Sequence, residues 1–357
     1  MKLSFGKLSF WKLSFWNAAI VAAVLAPCGA LWAQNSTNPI QVALLRWYQG
    51  NTVAHFSGNP ASTCSAPTGL AFDGTHIWVA CKGDGHLQEL NASDGKWMAT
   101  VSLSDTPVNL LYDGANIWVT NGSTSSGRVY KVDVAAVNAG CSSGPTCVTG
   151  PISVGSGPWG LAFDGTSVWV SNYNDNTLYK VSQSGSSTKI TSFSNCTGPF
   201  GLAFDTQYIW VACSVTGTLQ QLTTLGTLVN AVSLGSGDGP FNLAYDGAGT
   251  TCATHTANSP GNLWVTGTPN SVWKVSACTY SVSSPIAVAG PDSVAFDTKY
   301  IWVSNNSNGT VTKLLASSPS TTIPGSPFTA GTHPTRVAFD GGNIWVANQG
   351  SNDVSKF

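Results

Sequence analysis

Charge is scarce in this sequence. Lysine and arginine number 15 and aspartate and glutamate 16, which is 9% of 357 residues with a formal net charge of −1. With no basic stripe to neutralise phosphates, a nucleic-acid partner is excluded. Glutamate is rarest: Glu89 is the only one, so a lactonase-type metal site built on converging carboxylates has little to draw on. There is no phosphate-cradling glycine motif and no Cys-x-x-Cys pair of a zinc centre. The five histidines, His55, His76, His86, His255 and His333, fall in unrelated places, so no Ser-His-Asp constellation can be argued. Beyond the first 33 residues no apolar run approaches the roughly twenty needed to cross a bilayer. What the chain has instead is 38 glycines, 18 prolines, 14 tryptophans and 42% hydrophobic residues. That composition suits a β-rich, turn-rich globular protein, too hydrophobic for disorder.

The opening carries Lys2, Lys7 and Lys12, an apolar run from Asn17 to Ala26 and a small residue, Ala33, at a cleavage position. A secretory signal peptide over residues 1–33 is expected. A membrane anchor is the rival reading, but its strongly apolar core is only about ten residues long. The expected organisation is signal peptide 1–33, an N-terminal segment 34–51 and a repeat region 52–357. Arg46, Trp47 and Tyr48 in that segment either pack on the repeats or meet a partner. Cleavage leaves 12 basic residues against 16 acidic and eight cysteines of the nine. The expected state is a secreted or periplasmic monomer, with no membrane span after cleavage and with disulfides.

One phrase recurs seven times: PTGLAFDGTHIWVAC from Pro67, then copies from Pro107, Pro158, Pro199, Pro240, Pro291 and Pro334, spaced 40, 51, 41, 41, 51 and 43 residues apart. Such a period with short strands indicates a propeller. GLAFD reads as a first strand, DG or DT as a tight turn, and IWVA as a second strand buried on both faces. TLYKV at 177–181 and SVWKV at 271–275 exemplify third strands; ATVSL at 99–103 and PISVG at 151–155 exemplify fourth strands. The fold class expected is all-β, a seven-bladed β-propeller of four-stranded antiparallel blades. The last unit stops after three strands, and TVAHFS at 52–57 supplies the missing fourth, which closes the ring. The seven tryptophans of the second strands are expected between blades. The aspartates ending the first strands are expected to cap their own turns. Lys131, Lys180, Lys274, Lys313 and Lys356 read as a solvated edge.

The repeat phrase resembles the YVTN and NHL-type propellers of exported bacterial proteins, over roughly residues 40–357. Its GP-x-G-LAFDG form is also similar to the repeats of streptogramin lyases. That family relies on a metal with glutamate and histidine, which the single glutamate here matches poorly. The resemblance implies the fold and leaves function open among lactonases, lyases and binding proteins.

Loops before strand one and after strand two share one face of the disc. Cys64 with Cys81 and Cys196 with Cys213 hold the same offsets and are expected to pair; Cys141 and Cys147 bridge locally in one insertion. Cys252, in the other insertion, is expected to pair with Cys278 on the opposite face. The residue after each repeat proline is expected to project into the central mouth: Thr68, Val108, Trp159, Phe200, Phe241, Asp292 and Thr335, with Arg336 beside them. Asn121, Asn172, Tyr173, Asn305 and Asn348 follow from the second strands. The ligand-binding set is thus Trp159, Phe200, Phe241, Asp292, Arg336, Asn172, Tyr173, Asn305 and Asn348. No cofactor is expected, although Asp84, Asp105, Asp175, Asp238, Asp292 and Asp353 on that face make calcium conceivable. Three functions stay open: a non-catalytic propeller binding a small molecule, glycan or protein; a metal-dependent lyase or hydrolase; and an extracellular structural protein.

Overall fold

Each copy of the phrase folds into two antiparallel strands around a turn that its aspartate ties off. Asp73 Oδ1 accepts the backbone N–H groups of Thr75 and His76 at 2.8 and 2.7 Å, and the same pair of bonds recurs at Asp113, Asp164, Asp205, Asp297 and Asp340. Glycine follows where φ turns positive, as at Gly74 (φ 101) and Gly165 (φ 88); Thr206 and Thr298 take the same place at φ 80. The computed structural model describes residues 53–357 apart from 60–61, 123–125, 236–238, 248–260 and 322. The expected signal peptide, Arg46, Trp47, Tyr48, Asp238, His255 and Cys252 lie outside the described residues.

Seven four-stranded antiparallel sheets form. Blade one runs Pro67–Phe72, His76–Cys81, His86–Asn91 and Trp97–Ser102. Later blades repeat it, starting at Pro107, Pro158, Pro199, Gly239, Pro291 and Pro334. Blade seven takes its fourth strand from Ala54–Phe56, with Phe56 opposite Val354 and Ala54 opposite Lys356. First strands neighbour first strands around the axis, the seventh beside the first, so the ring is closed. A five-residue helix, Val134–Asn138, occupies the start of the first insertion and is capped by Asp133, which accepts from Ala136 N at 3.0 Å.

The repeated tryptophans lie between blades: six are fully buried and Trp302 is 7% exposed. Every indole donates to the aspartate of its own turn, at 2.5–2.9 Å from Trp118 to Asp113 through Trp264 to Asp246. The five lysines correct the expectation of a solvated edge. Each stands half-buried over its blade's tryptophan, with Nζ 4.5–5.9 Å from the ring centroid. Four also reach the next blade, where Lys131 binds Gln183 O, Lys180 Thr224 O, Lys274 Ala316 O and Lys356 Ala92 O at 2.7–3.0 Å. Lysine, ring and carboxylate thus form a repeated clamp between wedges.

Cys64–Cys81, Cys141–Cys147 and Cys196–Cys213 are bonded. The first and third tie the loop before strand one to the end of strand two, which fixes the face assignment. Three disulfides point to an oxidising compartment. Among the described residues no helix is long and apolar enough to cross a membrane.

Candidate functional site at the channel mouth

A bulge aims residues at the axis. Pairing between strands one and two is regular from Leu161 onward but slips between Pro158 and Leu161, and the same slip follows the repeat proline in every blade. The residues in the slip are freed from alternation and turned inward. Where first strands crowd, glycine is required: a Cβ on Gly160 would sit 2.1 Å from Phe200 O. The corresponding positions hold Gly69, Asn109, Gly201, Asn242, Ser293 and, alone in its bulk, Arg336.

The inward residues line a cavity of about 370 Å³ that includes Thr68, Val108, Trp159, Phe241, Asp292, Thr335 and Arg336. Phe200 lies beneath the wall, 5% exposed, with its ring 4.2 Å from Phe241 and edge-on to Trp159 at 4.8 Å. Tyr173, 40% exposed, meets Phe200 from outside at 6.0 Å. Asn172, Asn305 and Asn348 are buried and turn into their own blades. Their amides donate to Thr177, to Thr310 and Thr312, and to Asp353 and Ser355 respectively. They end the second strand on the side facing strand three, away from the axis. Lys82, Asn306, Ser307 and Gln349 line the cavity as well and were not anticipated.

Arg336 spans the mouth. Its Nε donates to Asn109 Oδ1 at 3.2 Å on blade two, and Asn109 in turn donates to Trp159 O at 3.0 Å on blade three. Its guanidinium lies 4.0 Å from Asp292 Oδ1 and 6.0 Å from the Trp159 ring. Burial pushes the Asp292 carboxyl up to about 6, the nearby arginine only partly opposing it. The indole Nε1 of Trp159 is buried and has no acceptor among the described residues. Other aspartates on this face are used blade by blade. Asp84 accepts from Ser65 N at 2.5 Å, Asp175 from Ser156 N at 2.8 Å, and Asp105 from Tyr130 Oη at 2.6 Å; burial, helped by that last bond, pushes the phenol up to about 12.

The ring and its mouth define a seven-bladed β-propeller. No protein-family profile and no curated protein matches the chain. Its shape is similar to a streptogramin B lyase structure, with a TM-score of 0.66 and 16% identity over 85% of this chain and 96% of that one. It is similar also to virginiamycin B lyase from Staphylococcus aureus (0.64, 14%, 85% and 98%) and to Kuenenia stuttgartiensis hydrazine synthase (0.61, 17%, 82% and 95%). At these identities the likeness establishes the fold.

Proposed function

We propose that the protein is an exported ligand-binding propeller whose channel mouth takes a small organic molecule with a flat apolar part and a carboxylate or similar acceptor group. The observation that carries this reading is Arg336, held across the mouth by Asn109 and Asp292 beside the unpartnered indole N–H of Trp159. Phe241 and Trp159 offer apolar surface, and Arg336 and Lys82 offer positive charge in a cavity of about 370 Å³, a size and polarity usual for small-molecule sites. The test is calorimetric titration of the protein with trans-cinnamate and phenylacetate, repeated on Arg336→Met. Saturable binding lost in that variant supports the reading; no binding by the folded wild type overturns it.

A second reading is a lyase. The fold is shared with enzymes named for that activity, and a carboxyl brought to about 6 beside an arginine suits proton abstraction near neutral pH. Incubation with quinupristin, the compound in a structure of inactive virginiamycin B lyase from Staphylococcus aureus, followed by chromatography, separates the two readings: turnover abolished in Asp292→Asn supports a lyase, and intact quinupristin counts against it.

A further inference from the structure

The clamp between blades has one exception of opposite charge. Strand pairing sets Lys131, Lys180, Lys274, Lys313 and Lys356 directly opposite the tryptophan of their blades. In blade four Gln221 stands there and accepts from the Tyr280 hydroxyl at 3.0 Å. In blade one the residue opposite Trp78 is Glu89. A carboxylate therefore occupies the place where five blades put a cation, beside a second carboxylate, Asp73. Between the two lies His76, with Nδ1 3.3 Å from Asp73 Oδ2 and 3.0 Å from Glu89 Oε1.

These three donor atoms lie within 4.8 Å of one another. A tetrahedral zinc ion with bonds of about 2.0 Å sets its ligand atoms about 3.3 Å apart. All three side chains are largely enclosed, 3%, 13% and 2% exposed for Asp73, His76 and Glu89. Glu89 Oε1 is buried, faces His76 Nδ1 at 3.0 Å and accepts no well-aligned hydrogen bond from any described residue. Burial holds the Glu89 carboxyl above its usual range, partly offset by His76. Asp73 is oriented in advance: Oδ1 accepts two backbone N–H groups and Oδ2 the Trp78 indole at 2.8 Å. Such outer bonds fix a ligating carboxylate. A cavity of about 510 Å³, lined by Trp97, Met98, Val137 and Asn138, opens at Glu89 between blade one and the insertion of blade two.

We propose that Asp73, His76 and Glu89 form a binding site for a zinc-class divalent cation, which supplies at the blade one–blade two junction the positive charge that lysine supplies elsewhere. One imidazole and two carboxylates are hard-to-borderline donors suited to zinc, with a fourth position left for water from the cavity. Metal on Nδ1 leaves the histidine proton on Nε2.

The experiment uses untagged protein stripped with EDTA, dialysed and titrated with zinc chloride in a calorimeter. One equivalent is expected to bind, with affinity falling at least tenfold in Glu89→Gln and in His76→Asn and unchanged in His333→Gln. Glu89→Lys restores the clamp of the other blades; it is expected to fold without metal, bind no zinc and show no zinc-dependent rise in Tm. Zinc absorption spectroscopy on the one-equivalent wild-type complex needs no variant and is expected to report nitrogen and oxygen ligands with a single imidazole. Absence of saturable one-to-one binding, a sulfur ligand, two or more imidazoles, or full affinity in both Glu89→Gln and His76→Asn would each overturn the proposal.

Discussion

Replacing Asp164 by asparagine tests the clamp where it is most complete. Oδ1 accepts from Thr166 N, Thr166 Oγ1 and Ser167 N at 2.7–2.9 Å; Oδ2 accepts from Trp169 Nε1 at 2.8 Å and faces Lys180 Nζ at 3.0 Å. Asparagine keeps the first set through its carbonyl oxygen but turns an NH2 group toward an indole N–H and an ammonium. Two charge-assisted bonds become donor-against-donor contacts in a site where the wild-type side chain is 1% exposed. The expected cost is about 3 kcal/mol at pH 7. Burial alone would raise the Asp164 carboxyl, but the bonds from Trp169, Thr166, Lys180 and Ser167 outweigh it and bring it down to about 2. From an ordinary 3.8, that drop is worth about 2 kcal/mol after allowance for the partly exposed lysine. Because the folded-state value is the lower one, this stabilisation is present above pH 4 and lost as pH falls toward 2. Urea unfolding followed by circular dichroism from pH 7 to pH 2.5 is therefore expected to show a wild-type advantage that holds to pH 4. By pH 2.5 it should have shrunk to about half. A difference below 1 kcal/mol at pH 7, or one that does not change with pH, would refute the reasoning.

Thr206→Gly and Thr298→Gly, at φ 80 in their turns, are each expected to raise stability by about 1 kcal/mol, because a β-branched residue is strained there; a lowered urea midpoint would count against it. Removing the 17-residue Cys64–Cys81 crosslink with a double alanine variant should cost about 3 kcal/mol, read from the same unfolding curves. Carbon-13 NMR of aspartate-labelled protein should show one carboxyl titrating near pH 6 that vanishes in Asp292→Asn; a midpoint below 4.5 for Asp292 would remove it as the raised carboxyl of the mouth.

The ring was legible in sequence because its parts are local and repeated. Proline, aspartate and tryptophan keep their offsets in every copy, and Cys64–Cys81 and Cys196–Cys213 share a spacing that only one face assignment satisfies. Closure by Ala54–Phe56 was readable as well, since a unit of three strands needs a fourth. The mouth was partly legible. The position after each proline follows from the repeat, whereas the bridge from Arg336 to Asn109 joins residues 227 apart, and no periodicity encodes it. Asn172, Asn305 and Asn348 sit at a strand end where one step of alternation separates the axis from the blade interior, and a repeat alignment does not resolve that step. The lysines needed pairing register as well as position: only when Lys180 is set opposite Trp169 does a polar-looking edge become a stack. The same alignment carries the signal for Glu89, since HLQEL from His86 and TLYKV from Thr177 differ in charge at the residue that faces the indole.

Closure has a consequence for biogenesis. His55 is synthesised 300 residues before Ser355, the residue it lies beside in the finished ring. While the polypeptide is being made, blades one to six can stack in order, but the outer strand of the seventh, Ala54–Phe56, waits without a neighbour until Asp353–Lys356 is added. Until then both rims of the growing arc present unpaired backbone, the exposure that invites association between chains. A chain without Asp353–Lys356 would leave Ala54–Phe56 unpaired, so the clasp ties the fate of one strand to another translated long after it.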